Sequence, residues 1–156
     1  MGYTNSPLVS FTQLSPNHSG QRTHSIDRIT PHCYVGQVTV ERMGKGWAKP
    51  GNVSANYGIA LDAQVGLYVE EKNRAWTSSS EDNDQRAVTI ECACDPESPY
   101  AFKDIVYNKL TDLCVDICKR NGKKKLLLRF LIHMETFIMQ MVGLEFKKKV
   151  KEQMVV

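Results

Sequence analysis

Four histidines, five cysteines and one strand-borne glutamate are the side chains of this 156-residue chain best suited to chemistry. A neutral imidazole can ligate a metal or carry a proton, a nearby carboxylate can act as general base, and a thiolate can attack or ligate. His32 ends a strand-like run, I-T-P-H-C at 29–33, and Glu91 sits within A-V-T-I-E-C-A-C-D at 87–95. Taken singly, a strand-end histidine reads as a surface or core residue, and a strand glutamate as a solvated one. His18 and His24 lie in a polar N-terminal stretch, and His133 stands in L-I-H-M-E-T-F at 131–137. Cys92 and Cys94 form a C-x-C, a spacing wrong for a structural zinc pair, and alternation along a strand aims both thiols to one face. Cys114 and Cys118 are one helical turn apart and read as two small core residues. The odd cysteine count, with an N-terminus that has neither a basic start nor an apolar leader, argues for a reducing compartment and synthesis without ordinary export.

The elements that must position these residues follow from local pattern. Residues 1–25 are rich in Ser, Thr, Asn, Pro and Gly and read as an irregular arm. Residues 26–33 predict a first strand, which Pro31 confines to an edge or ends, because proline cannot donate to a ladder. Y-G-I-A-L at 57–61 and V-G-L-Y-V at 65–69 alternate around D-A-Q and predict a hairpin. In R-A-V-T-I-E-C at 86–92, Val88, Ile90 and Cys92 share one face while Thr89 and Glu91 share the other. The stretch before it, T-S-S-S-E-D-N-D-Q, reads as a polar loop, and a short helix is expected near 37–43. Ser98 as N-cap, Pro99 at the first helical position and apolar Phe102, Val106, Leu110, Leu113 and Ile117 predict a long helix stopped by Asn121-Gly122. Together these give an α/β fold, a single domain with a central mixed sheet flanked by helices. Net charge is only +3. That suits an anionic polymer but is too small to argue for nucleic acid, and no basic motif interleaved with aromatics is present.

Three segments taken jointly carry more than any residue alone. They are I-T-P-H-C at 29–33, A-N-Y-G-I-A-L-D-A-Q-V-G-L-Y-V-E-E-K-N-R-A-W at 55–76, and A-V-T-I-E-C-A-C-D at 87–95. Spread over roughly residues 6–127, they resemble the amidase-2 family of N-acetylmuramoyl-L-alanine amidases, and most of all its phage-lysin branch. The resemblance implies a zinc-dependent hydrolase that cuts the lactyl–L-alanine amide bond of peptidoglycan. It makes His32 a zinc ligand, Glu91 the catalytic carboxylate, and Trp76 and Thr77 residues of the substrate groove. An amide is a poor electrophile; a zinc with three protein ligands polarises the carbonyl and brings the pKa of its bound water to about 7. A carboxylate beside it takes the water's proton and returns it to the leaving nitrogen. A lysin of this kind is made in the cytoplasm and reaches the wall after release. A groove that holds muropeptide without cutting it, or a truncated inactive amidase, is the alternative reading.

The chain also departs from the family pattern. Ala55 stands where many relatives carry a tyrosine, and A-W-T ends the second motif where many have A-W-H. The family completes its zinc site after the long helix with a histidine segment and a Cys-Pro-Gly or Asp-Pro-Gly, and nothing of that kind follows residue 127. His133 is then the candidate second metal ligand, with Glu135 or Glu145 as an oxygen donor. The likeness divides the chain into an arm (1–25), an incomplete amidase-2-like domain (26–127) and an atypical amphipathic tail (128–156), which is expected to come from a shifted reading frame. Arg129, His133, Thr136, Gln140, Gly143 and Lys147 make one polar stripe on an otherwise apolar tail. Such a helix suits packing on the sheet, self-association or a membrane surface, the last helped by lysines at 123–125 and 147–149.

Overall fold

The computed structural model describes residues 3–122, together with the backbone of 127 and 128. In chain order the elements are β1 (Phe11–Thr12), β2 (His18–Gln21), β3 (Arg28–Val35), α1 (Val40–Trp47), β4 (Tyr57–Ile59), β5 (Val65–Leu67), β6 (Asn73–Ala75), α2 (Glu81–Arg86), β7 (Ala87–Cys94), α3 (Asp104–Arg120) and β8 (Leu127–Leu128). A six-stranded mixed sheet runs β1-β5-β4-β7-β3-β8, with β2 and β6 paired separately. All its neighbours are parallel except the β4–β5 hairpin.

The period-2 pattern divides the sheet into two faces. Tyr57, Ile59, Val65, Leu67, Val88, Ile90 and Cys92 meet the apolar stripe of α3, namely Val106, Leu110, Leu113, Cys114, Ile117 and Cys118. On the opposite face α1 sets Met43 and Trp47 against Tyr68, Ala55 and Ala93. Helices thus cover both faces of the central strands, and Cys114 and Cys118 are core residues, as their spacing suggests.

Several local expectations shift. The strand through Pro31 does not stop there but continues to Val35; β8 pairs only with Arg28 and Ile29, so Pro31 meets no outer neighbour among the described residues. The polar stretch before β7 contains α2, because Ser80 caps the Asn83 N–H and Glu81, Asp82 and Asp84 fill an acidic first turn. The long helix starts at Asp104 rather than at Pro99. Tyr100 takes a left-handed φ of 56°, which no helix accommodates, and its N–H closes a turn on the Glu97 carbonyl. The short helix begins at Val40, where Thr39 accepts the Arg42 N–H. The N-terminal stretch supplies β1, parallel to β5, and β2, antiparallel to β6. Cys33 stands in register with Cys92 but forms a disulfide with Cys94, two residues further along β7.

Candidate active site

His32 and Glu91 come from the adjacent parallel strands β3 and β7, where they are in direct register. Both project on the face opposite α3, and His32 Nδ1 lies 3.8 Å from Glu91 Oε1. That is close enough for electrostatic contact but too long for a hydrogen bond. Only 20% of the His32 and 14% of the Glu91 side chain remain exposed. Burial disfavours charge on each. It lowers the His32 pKa, against a smaller upward pull from Asp84, and raises that of Glu91 to about 7. The pair is therefore a neutral imidazole beside a carboxyl group that ionises near neutrality, not an ion pair. Nε2 of His32 is buried and has no hydrogen-bond partner among the described residues.

In front of Glu91 opens a cleft of about 270 Å³ lined by Cys33, Tyr34, Val35, Trp47, Val53, Ser54, Thr77 and Glu91. Tyr34, two residues beyond His32 on the same strand face, packs edge-on against Trp47 with ring centroids 5.9 Å apart. The Thr77 hydroxyl donates to the Ser54 carbonyl at 2.7 Å and lies 2.8 Å from the Thr89 hydroxyl, itself two residues before Glu91. Beneath it, Asp84 accepts the Thr77 and Ser78 N–H groups and fixes the entry to α2. Asn56 accepts the Thr89 N–H and donates to the Val69 carbonyl, so the strand that carries Glu91 is tied to the hairpin.

Of the residues expected to form the site, Glu91 and Thr77 line the cleft, and His32 lies beside Glu91 without lining it. Trp76 is not among the cleft-lining residues: its indole N–H donates to Ser19 on β2 at 2.7 Å. His133, Glu135, Glu145 and the polar stripe of the tail lie outside the described residues. Tyr34, Trp47, Val53 and Ser54, which also line the cleft, belong to none of the chemical motifs in the sequence. The W-A-K-P-G-N run at 47–52, a tryptophan against a turn, is the signal that could have marked one wall.

The geometry and the motifs agree with the comparisons. The family profile described as N-acetylmuramoyl-L-alanine amidase matches residues 17–139, most of the chain. No curated protein matches the sequence significantly. Among solved structures, a mutant endolysin from Bacillus subtilis superposes with a TM-score of 0.71 at 10% identity, covering 90% of this chain and 97% of that one. The PlyG catalytic domain gives 0.70 at 14% identity, covering 94% and 95%. The Staphylococcus aureus hydrolase AmiA, in complex with its ligand, gives 0.67 at 9% identity, covering 97% and 85%. At such identities the likeness is one of fold. The chain belongs to the amidase-2 family of N-acetylmuramoyl-L-alanine amidases, and by that resemblance it is an enzyme.

The family resemblance implies zinc, which takes three protein ligands in a catalytic site. The orphaned Nε2 of His32 is the kind of donor such an ion uses. Among the described residues, however, no group of three His, Cys, Asp or Glu converges. By themselves, the described residues do not make a zinc site.

Proposed function

We propose that the chain hydrolyses the amide bond between the lactyl group of N-acetylmuramic acid and L-alanine in peptidoglycan, with Glu91 as general base and then general acid. What supports this is the placement of Glu91, largely buried, lining the cleft and 3.8 Å from His32 on the neighbouring strand. A carboxyl group poised near neutral pH takes a proton from an attacking water and returns it to the leaving nitrogen in the same cycle. An ordinary exposed glutamate, ionised throughout, is a poor proton donor. Thr77 and Ser54 supply polar groups along the cleft, while Val35 and Val53, 58% and 57% exposed, give its rim apolar surface. We assign His32 as one ligand of the zinc on which this activity depends.

The test is digestion of purified peptidoglycan. New N-terminal alanine, without new reducing sugar ends, is the expected product. Glu91→Gln should lower the rate roughly 10²–10⁴-fold while leaving muropeptide affinity intact. On the amidase reading the protein should bind about one zinc per chain, and His32→Ala should abolish that binding; sub-stoichiometric zinc is the outcome expected of an incomplete site. A fully active Glu91→Gln variant would overturn the assignment. A second reading is a groove that binds muropeptide without cutting it, which needs no converging set of three metal-ligating side chains such as the described residues lack. Tight muropeptide binding by zinc-free protein, with no alanine released, would establish that reading instead.

A further inference from the structure

The segment 48–54, between α1 and β4, forms one wall of the cleft through Val53 and Ser54. It has no regular structure, and residues 48–53 are exposed. Exposed loops of this kind are ordinarily among the first parts of a domain to open. This one is gripped by a single residue of the N-terminal stretch. Asn17, 3% exposed, donates through its carboxamide nitrogen to the Lys49 carbonyl at 3.2 Å and the Val53 carbonyl at 3.1 Å. Its carboxamide oxygen accepts the Gly51 N–H at 2.8 Å, and its main-chain carbonyl accepts the Ser54 hydroxyl at 2.6 Å. Both amide protons and the amide oxygen are thereby used on one short loop, a set that neither a carboxylate nor a hydroxyl reproduces. Ser54 passes the constraint into the site: its hydroxyl accepts the Trp76 N–H at 3.0 Å, and its carbonyl accepts the Thr77 hydroxyl.

We infer that Asn17 is a positioning residue of the amidase, holding the 48–54 segment as a wall set before the muropeptide arrives; this rests on the amidase reading of the cleft. Asn17 does not line that cleft. Its effect should therefore appear in binding rather than in bond-breaking, because a wall ordered in advance spares the ordering entropy otherwise lost on association.

The experiment compares the parent with Asn17→Ala and Asn17→Asp by steady-state kinetics on a soluble muropeptide and by amide hydrogen exchange. For Asn17→Ala, KM should rise roughly tenfold with kcat within about twofold, as expected when buried hydrogen bonds that fix a binding surface are lost. Exchange should quicken at Gly51 and its neighbours while β7 amides stay protected. Asn17→Asp, similar in shape but with acceptor oxygens facing the Lys49 and Val53 carbonyls, should not restore the parent KM. Unchanged exchange in the loop would overturn the clamp. Faster loop exchange with an unchanged KM would overturn its role in substrate binding, and parallel loss of kcat and of β7 protection would reduce Asn17 to a structural residue. A parent that neither cleaves nor binds muropeptide sinks the amidase reading, and the substrate role with it, while exchange still decides whether Asn17 holds the loop.

Discussion

Glu91 retains its proton well above the usual carboxylate range because the folded protein removes its side chain from water, and that has a thermodynamic consequence separate from catalysis. Between its ordinary value of 4.5 and about 7 the native state binds more protons than the unfolded chain. Stability therefore falls as pH rises through that window and levels off above it, a loss on the order of 3 kcal/mol. Glutamine has no charge to desolvate. Glu91→Gln should accordingly match the parent near pH 4 and exceed it at pH 8 by up to about 3 kcal/mol in urea unfolding. An identical stability difference at both pH values would mean that Glu91 is not desolvated in the fold. Alternation along β7 was enough to separate Glu91 and Thr89 from the core-facing Val88 and Ile90. Depth was not legible, since a strand pattern gives the face and says nothing about what covers it. The side chains that line the cleft with Glu91, Tyr34, Trp47 and Thr77 among them, come from three other parts of the chain.

The hairpin shows how one element makes room for another. Gly58 and Gly66 are paired across β4 and β5, and the Tyr68 ring lies over both. From there its hydroxyl reaches the Val40 carbonyl at the start of α1, 2.8 Å away, and its ring meets Trp47 edge-on at 4.9 Å. A Cβ built on Gly66 would sit 2.2 Å from the Tyr68 hydroxyl oxygen, and one on Gly58 2.5 Å from Met43 Sδ. The two glycines are thus a slot, and α1 docks on the sheet through the ring that fills it. Gly66→Ala should destabilise the protein by about 1–3 kcal/mol through overpacking, measured as a lower urea midpoint at unchanged m. A neutral Gly66→Ala would show that Tyr68 swings aside freely. The hairpin, β7 and the body of α3 were legible because each repeats an apolar period over several residues. α2 was missed for the opposite reason: E-D-N-D-Q-R carries no apolar stripe, and only its serine cap and acidic first turn mark it as a helix.

At the scale of the whole molecule, residues far apart in sequence hold the domain together, and these were the least legible. Arg120, in the last turn of α3, meets Glu71 at 2.6 Å, and Glu71 also accepts the Tyr57 hydroxyl. Arg22 reaches the Glu71 carbonyl and the Asn56 side chain. Nothing local reveals such partners, so a polar N-terminal stretch read as an irregular arm although it carries Asn17, Arg22 and two strands. The α/β class was clear by contrast, because it rests on counting periodic segments. One long-range link is covalent. The bond between Cys33 and Cys94 spans a sequence separation of 61 and encloses α1, the hairpin, β6, α2 and most of β7. Brief trypsin treatment that cuts after the exposed Lys72 should give a single band on a non-reducing gel and two fragments once thiols are reduced. Two bands without reductant would mean that Cys33 and Cys94 are unpaired. Between those two cysteines, a broken peptide bond opens the chain without dividing it, so a nicked molecule keeps all its parts at hand.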